Sequence, residues 1–313
     1  LAAGAVMMDA GYWKRPWYYP YQDDTIETAY IREAAKVRQV VGMVDVSTLG
    51  KIAIQGPDAN EFLNRIYVNG FAKLPEGKAR YGIMLRDDGH VMDDGTTWRL
   101  SEDEYFMTTT TAQAGPVMLF LEELLQTRMT DLDVHVSSVS DYWAGIAVAG
   151  PVARQVLGAA ITSVDWSNEA FPFMGVRSGT LSLGTAKIHF RAARISFSGE
   201  RAWEIYVPAD FGTAVWAHLA EHVTAAGGCL YGTEALGALR IEKGHVTGAE
   251  LDGRVTLEDA GFARMASKTK PYIGSVLRLR PGLMDEKRPR LVGIFPKDLN
   301  QRFGTGAILC APD

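Results

Sequence analysis

The stretch Arg80-Tyr81-Gly82-Ile83-Met84-Leu85-Arg86-Asp87-Asp88-Gly89-His90-Val91-Met92-Asp93-Asp94-Gly95-Thr96 constrains the fold more than any other part of the chain. Alternation on both sides of Asp87-Asp88-Gly89 predicts two antiparallel strands, with Gly89 filling a left-handed turn position at little cost. A second pair, Asp93-Asp94, follows where the returning strand should still be running. Asp is among the poorest strand residues, so carboxylates there point to chemistry or to a buried network.

The rest of the chain reads as alternating strands and helices. Tyr12 to Tyr21 is rich in Trp, Tyr and Pro and reads as an irregular segment packing its aromatics on a domain surface. Helical spacing runs from Thr25 to Val41 and stops at Gly42. A strand from Val44 through Gln55, a helix from Ala59 to Val68, the hairpin, a strand at Tyr105 to Thr111 and a helix from about Gly115 to Thr127 complete the first half. The second half repeats this vocabulary: a strand at Ala144 to Ala149, a helix after Gly150-Pro151, three strands between Thr180 and Pro208, and helices near Phe211 to Ala226 and Thr233 to Lys243. Gly56-Pro57-Asp58-Ala59 and Gly150-Pro151-Val152-Ala153 share one strand, Gly-Pro, helix junction. Proline favours a first helical turn for local reasons, but the matching element order suggests two similar α+β lobes from an old duplication. From Arg290 the pattern turns strand-like again, as though a β domain begins.

Of 313 residues, 47% are hydrophobic and 22% charged, with a net charge of −5, as expected of a soluble globular protein. The acidic balance and the lack of a Lys/Arg stripe argue against nucleic acid as a partner. No apolar run is long enough to suggest a membrane span. Two cysteines, Cys229 and Cys310, suit a reducing, cytoplasmic setting better than a disulfide framework. The chain opens without Met and stops directly after a strand-like run, and reads as a piece of a longer protein. His218-Leu219-Ala220-Glu221-His222 matches a zinc-peptidase pattern, but no third ligand accompanies it. Its polar residues are expected on a solvated helix face. No dinucleotide fingerprint, Walker loop or nucleophile elbow is present. Glu204 stands between Trp203 and Ile205 in an apolar strand, either facing solvent or, with Asp94, gripping a ligand rich in hydrogen-bond donors. Arg240 lies in a basic cluster before Gly244, where dipole compensation and capping explain it simply.

Six motifs in order, Val44-Asp45-Val46-Ser47-Thr48-Leu49-Gly50-Lys51, Gly56-Pro57-Asp58-Ala59, Ala79-Arg80-Tyr81, Met92-Asp93-Asp94, Ser198-Gly199-Glu200 to Trp203-Glu204, and Leu239-Arg240-Ile241-Glu242-Lys243-Gly244, resemble the folate-dependent aminomethyltransferases. The T-protein of glycine cleavage is the best-known member of that family. Asp45 to Gly50, Arg80 to Arg86, Asp94-Gly95-Thr96, Thr108 to Thr111 and Tyr231 to Leu236 look closest to the branch found in alpha subunits of heterotetrameric sarcosine oxidases.

The resemblance implies two related α+β lobes, here residues 12–280, and the start of a C-terminal β-barrel at 288–313, around a central tetrahydrofolate site. Asp94 would sit by the folate nitrogen that takes the one-carbon unit. Glu204 would clamp the pterin ring, with Leu49, Tyr81, Thr109, Phe197 and Arg240 completing the pocket. T-proteins carry Asn at the place of Thr109, His at Thr48, Tyr at Phe197, Trp near Arg264 and Arg at Leu236, and the last change leaves open how the folate glutamate tail is held. The implied function is capture of the imine from sarcosine oxidation to give 5,10-methylenetetrahydrofolate and glycine. FMN, FAD and NAD are expected only in the complete complex, with a beta subunit and smaller subunits as partners. A stand-alone aminomethyltransferase and a non-catalytic folate-binding module are the alternatives.

Overall fold

A computed structural model describes residues 3–298 and 303. Its elements run β1 (Val6–Ala10), β2 (Trp13–Tyr18), α1 (Ile26–Gln39), β3 (Gly42–Asp45), β4 (Gly50–Gln55), α2 (Ala59–Ile66), β5 (Lys78–Leu85), β6 (Val91–Arg99), β7 (Glu104–Thr109) and α3 (Ala114–Thr127). They continue with β8 (His135–Ser138), β9 (Trp143–Ala149), α4 (Ala153–Ala160), β10 (Val176–Leu183), β11 (Ala186–Ala193), β12 (Ala202–Pro208), α5 (Gly212–Ala225), β13 (Cys229–Leu230) and α6 (Thr233–Lys243).

The duplication is visible in the sheets. The first has the order β5-β6-β7-β4-β8 and the second β10-β11-β12-β9-β3-β13. In each, a hairpin is followed by a strand that pairs with the one leading into the Gly-Pro turn. Gly56 and Gly150 occupy equivalent corners with φ of +132° and +139°. Each donates its N–H to the chain just before the neighbouring strand, Asp103 O at 3.0 Å and Arg201 O at 2.9 Å. A side chain at either corner would collide with backbone, since a Cβ on Gly56 would lie 2.2 Å from Asp133 O and one on Gly150 2.5 Å from Val40 O. Glycine is therefore required twice for one reason.

The lobes are not separate beads. The single strand expected from Val44 to Gln55 is divided: β3 joins the second sheet beside β9, and β4 joins the first beside β7. The segment Val46 to Leu49 crosses between them. Periodicity alone cannot show such a break, because both strands are buried in nearly continuous runs. Helices α2 and α3 cover the outer face of the first sheet through Phe62, Leu63, Val117 and Leu121. Helices α4 and α5 cover that of the second through Leu157, Val215 and Leu219. The inner faces meet around Trp98, Phe106 and Tyr206.

Three expectations need correction. Tyr12 to Tyr21 is not irregular, because Trp13–Tyr18 pairs antiparallel with Val6–Ala10. That hairpin is held by docking rather than by alternation: Trp17 Nε1 donates to Glu234 at 2.8 Å, and Glu33 of α1 accepts from Tyr19 N at 2.6 Å. His218 is not left in water. Its Nε2 lies 2.9 Å from Ala160 O at the end of α4. Residues 290–298 form no strand. Of the region expected to begin a barrel, residues 299–302 and 304–313, including Cys310, lie outside the described residues.

Candidate functional site

The hairpin β5–β6 places the acidic pair. Met84 faces Asp93 and Leu85 faces Val91, so Met92 is an extra residue and the strand bulges there. Bulges re-aim side chains and are common beside active sites. Downstream of the bulge, alternation sends Asp93 and Asp94 to opposite faces of the sheet. Asp93 turns outward and is 2% exposed. Its carboxylate accepts from Thr110 Oγ1 at 2.7 Å and Thr110 N at 3.1 Å, pinning the end of β7 to β6. Burial pushes its pKa up to about 7 despite these bonds.

Asp94 shares the inner face with Thr96 and Trp98, and opposite them on β5 stand Ile83, Tyr81 and Ala79. The Tyr81 hydroxyl donates to Asp94 Oδ2 at 2.8 Å. Burial raises the pKa of Asp94, and the Tyr81 bond only partly offsets this. Along this face, Trp98 packs 5.4 Å from the Tyr206 ring of the other lobe. At the opposite end, Val91 and Ile83 are covered by Val246, Leu251 and Leu257. Tyr81 lies 6.3 Å from Phe262. Asp94 thus lies between the lobe interface and the C-terminal covering segment.

Glu204 takes the corresponding situation in the second lobe. Trp203 and Ile205 enter the outer core. Glu204 therefore projects inward with Tyr206, whose hydroxyl donates to Glu204 Oε2 at 3.1 Å. Its neighbours across the sheet are Ala147 and Ala193. Burial pushes the Glu204 pKa up to about 7. The structure excludes the solvent-facing alternative. Neither Asp94 nor Glu204 forms an ion pair among the described residues.

The other predicted residues make contacts of their own. Leu49, on the crossover, packs in one cluster with Val46, Ala147, Tyr231 and Leu236. Thr109 is buried and turns its hydroxyl to Thr110 O at 3.0 Å. Phe197 lies in the loop between β11 and β12, its ring 5.7 Å from His245. That loop is tied down by Arg38, which donates to Ser198 O and Glu200, both at 2.9 Å. Arg240 is already engaged, pairing with Glu250 at 2.8 Å and donating to His245 O at 3.1 Å. Gly244 caps α6 with φ +81°, as its position in the sequence suggests.

Sequence reasoning missed Tyr206, His245 and Lys51. Tyr206 is two residues beyond Glu204 and so on the same strand face, a signal that was available. Lys51 is fully buried, its ammonium donating to Ser47 O at 2.5 Å and Trp143 O at 2.9 Å. It ties the crossover to β9, and burial lowers its pKa to about 8. No sequence signal marks a strand lysine as buried.

The model of the GCVT N-terminal domain matches residues 1–270. The chain belongs to that family. It is 47% identical to the sarcosine oxidase subunit alpha of Corynebacterium sp. (strain U-96), over all of this chain and 32% of that protein. It is 31% identical to the aminomethyltransferase of Streptomyces coelicolor, over 86% of this chain and 68% of the relative. The chain thus spans about a third of the oxidase subunit's length. Glycine cleavage system aminomethyltransferase T from Bartonella henselae shares the fold, with a TM-score of 0.71 at 24% identity over 85% of this chain and 67% of that one. The aminomethyltransferase fold of two related α+β lobes is therefore established for the described residues.

Proposed function

We propose that this chain is the tetrahydrofolate-binding, one-carbon-transfer region of a sarcosine oxidase alpha subunit. One observation carries the reading. Two largely buried carboxylates, on the inner faces of sheets from different lobes, each receive a phenol hydrogen bond and pair with no cation among the described residues. An uncompensated buried carboxylate is costly, and such groups suit a ligand that brings hydrogen-bond donors. A reduced pterin has the matching donor edge, so the residues present fit the group. The 47% identity over the whole chain to an oxidase alpha subunit favours this branch over a stand-alone aminomethyltransferase.

When bound, tetrahydrofolate supplies the nitrogen that accepts the one-carbon unit. Glu204 accepts the pterin N–H groups as charge-assisted bonds, which favour its ionised form. Asp94 stands by the reacting nitrogen, where its negative charge stabilises a cationic imine and its carboxylate can relay a proton. Tyr81 fixes the orientation of Asp94 and Tyr206 that of Glu204. Leu49 and Phe197 close the pocket with apolar surface, and Thr109 and Arg240 belong to its outer wall. The imine comes from sarcosine oxidised by flavin in another part of the assembly, with FMN, FAD, NAD, a beta subunit and smaller subunits completing the enzyme. The products are 5,10-methylenetetrahydrofolate and glycine.

Isothermal titration with tetrahydrofolate tests the first half of this reading. Saturable one-to-one binding that weakens in Glu204→Gln is expected. Absence of binding to the folded protein overturns it.

A further inference from the structure

The β10–β11 hairpin carries a polar pattern that the acid pair does not use. Along β11, Ile188, Phe190 and Ala192 enter the outer core, so alternation sends Lys187, His189 and Arg191 to the opposite face. Across the hairpin they stand against Ser182, Thr180 and Ser178 respectively. Three basic side chains thus each face a hydroxyl on the neighbouring strand. β12 pairs with β11 only between Arg191 and Ala193, opposite Tyr206 and Glu204. Beyond Arg191 the hairpin runs on without that third strand. A cavity of about 440 Å³ opens there, lined by Trp143, residues 178–180 and residues 189–191. Trp143 lies opposite Pro208 and Arg191 opposite Tyr206, so the register places the cavity at the end of β12 past Glu204. Among the described residues no carboxylate lines it.

Arg191 is the fixed cation of this cavity. Its Cζ lies 4.8 Å from the centre of the Trp143 ring and 5.7 Å from that of Phe106. Its Nη2 donates to Glu104 of the first lobe at 2.9 Å. One ion pair and two ring contacts hold the guanidinium, yet its side chain stays 23% exposed. Its other N–H groups have no acceptor among the described residues and remain open to solvent. His189 Nδ1 lies 3.4 Å from Thr180 Oγ1. A hydroxyl donating to Nδ1 leaves the ring proton on Nε2, and neither Nε2 nor the Ser178 hydroxyl has a protein partner among the described residues. Lys187 differs. It is exposed, its ammonium donates to Ser182 at 2.8 Å, and it lies outside the lining.

We propose that this cavity binds a phosphate group, carried by a small molecule and held by Arg191 with His189, Ser178 and Thr180 as further donors. A held guanidinium gives a fork for two oxygens of an oxyanion. The imidazole and two hydroxyls then outnumber what a carboxylate can accept and suit the additional oxygens of a phosphate. A cavity of this size also has room for the group that a phosphate ester carries. The proposal does not rest on the folate reading, since neither Asp94 nor Glu204 lines the cavity.

The test titrates the intact chain with phenyl phosphate and with inorganic phosphate, against sodium chloride of equal ionic strength. Saturable binding of both is expected, with phenyl phosphate the tighter. Equal affinities would overturn the ester and leave the bare ion as the occupant. Arg191→Gln should weaken phenyl phosphate by about tenfold or more, the scale of a lost charge-assisted bond, and His189→Ala by about threefold. Lys187→Gln, on the same strand face but outside the cavity, should stay within about twofold. His189 is exposed, so its variant serves if Arg191→Gln, which strands Glu104, folds poorly by circular dichroism. Three results would each overturn the proposal: no saturable binding to the folded wild type, full affinity in a folded Arg191 or His189 variant, or a loss in Lys187→Gln equal to that in Arg191→Gln, as diffuse charge attraction would give.

Discussion

Glu204 offers the sharpest test of the site, because its burial predicts a pH dependence of known sign. Its pKa rises from an ordinary 4.5 to about 7. Between those values the folded protein holds a proton that the unfolded chain has released. Stability from this group is therefore full below pH 4.5 and declines as pH rises to 7, by at most about 3 kcal/mol for a shift of this size. Glu204→Gln cannot titrate, so it should gain stability relative to wild type over that window. The comparison between the two proteins removes Asp93 and Asp94, whose shifts have the same direction.

Ligand binding should run the opposite way. The proton on Glu204 must leave before both oxygens can accept pterin N–H groups. Tetrahydrofolate should bind about tenfold more weakly at pH 6 than at pH 8, and further tenfold per unit below that. Near pH 7, titrations in buffers of different ionisation enthalpy should show about half a proton released per ligand. In Glu204→Gln the pH slope should vanish, and affinity at pH 8 should fall by about ten- to a hundredfold, or ~1.5–3 kcal/mol, as a charged acceptor becomes a donor. A wild-type affinity that stays flat from pH 5.5 to 8, with no proton release, would refute this reasoning and remove Glu204 from the ligand.

Asp94→Asn should slow methylene transfer by ~10²-fold or more and change tetrahydrofolate affinity little, whereas Asp93→Asn should act mainly on stability, costing ~1–3 kcal/mol in urea unfolding because one of the two oxygens that accept from Thr110 becomes a donor. If Asp93→Asn abolished transfer and Asp94→Asn were silent, the assignment of faces after the bulge would be wrong. Gly95→Ala should destabilise by ~1–3 kcal/mol or more, since the new Cβ would lie 2.0 Å from Thr108 O; an unchanged denaturation midpoint would contradict the tight β6–β7 contact. Lys51, with its pKa lowered from 10.5 to about 8, binds fewer protons folded than unfolded between those values, so wild-type stability should rise from pH 8 to 10.5 and Lys51→Met should show a smaller rise in melting temperature. Equal rises in both proteins would mean that Lys51 is not buried as a cation.

The parts of this fold that were legible in the sequence are those governed by local chemistry. Gly89 has the left-handed φ, +89°, that the Asp-Asp-Gly turn demands. The Gly-Pro corners mark where each lobe turns from strand to helix. The sequence did not reveal where strands go after they form. Nothing between Val44 and Gln55 announces that the chain changes sheets, because β3 and β4 find their partners far along the chain, at Trp143–Ala149 and Glu104–Thr109 respectively, and only tertiary pairing separates them. The β1–β2 hairpin was hidden for the same reason, since its anchors are Glu33 and Glu234 rather than a pattern of its own.

The same division explains the site. Two out-of-place carboxylates could be singled out because Asp and Glu are poor occupants of apolar strands, but their partners could not, because phenols in strands are ordinary. The register then shows why Tyr81 and Tyr206 matter. Tyr81 faces Thr96 and reaches diagonally to Asp94, and Tyr206 lies two residues along from Glu204 on one strand. Each lobe thus supplies a buried acid oriented by a neighbouring tyrosine on the inner face of its sheet. Equivalent positions do not carry them. The corner hydrogen bonds match Gly56 with Gly150 and Asp103 with Arg201, so Glu204 corresponds to Phe106, and the first lobe's acid sits one strand over on β6. A duplicated scaffold with acids at non-equivalent places cannot bind a symmetric ligand by symmetry. It suits an asymmetric one, whose recognised edge and reacting nitrogen need two carboxylates in different roles.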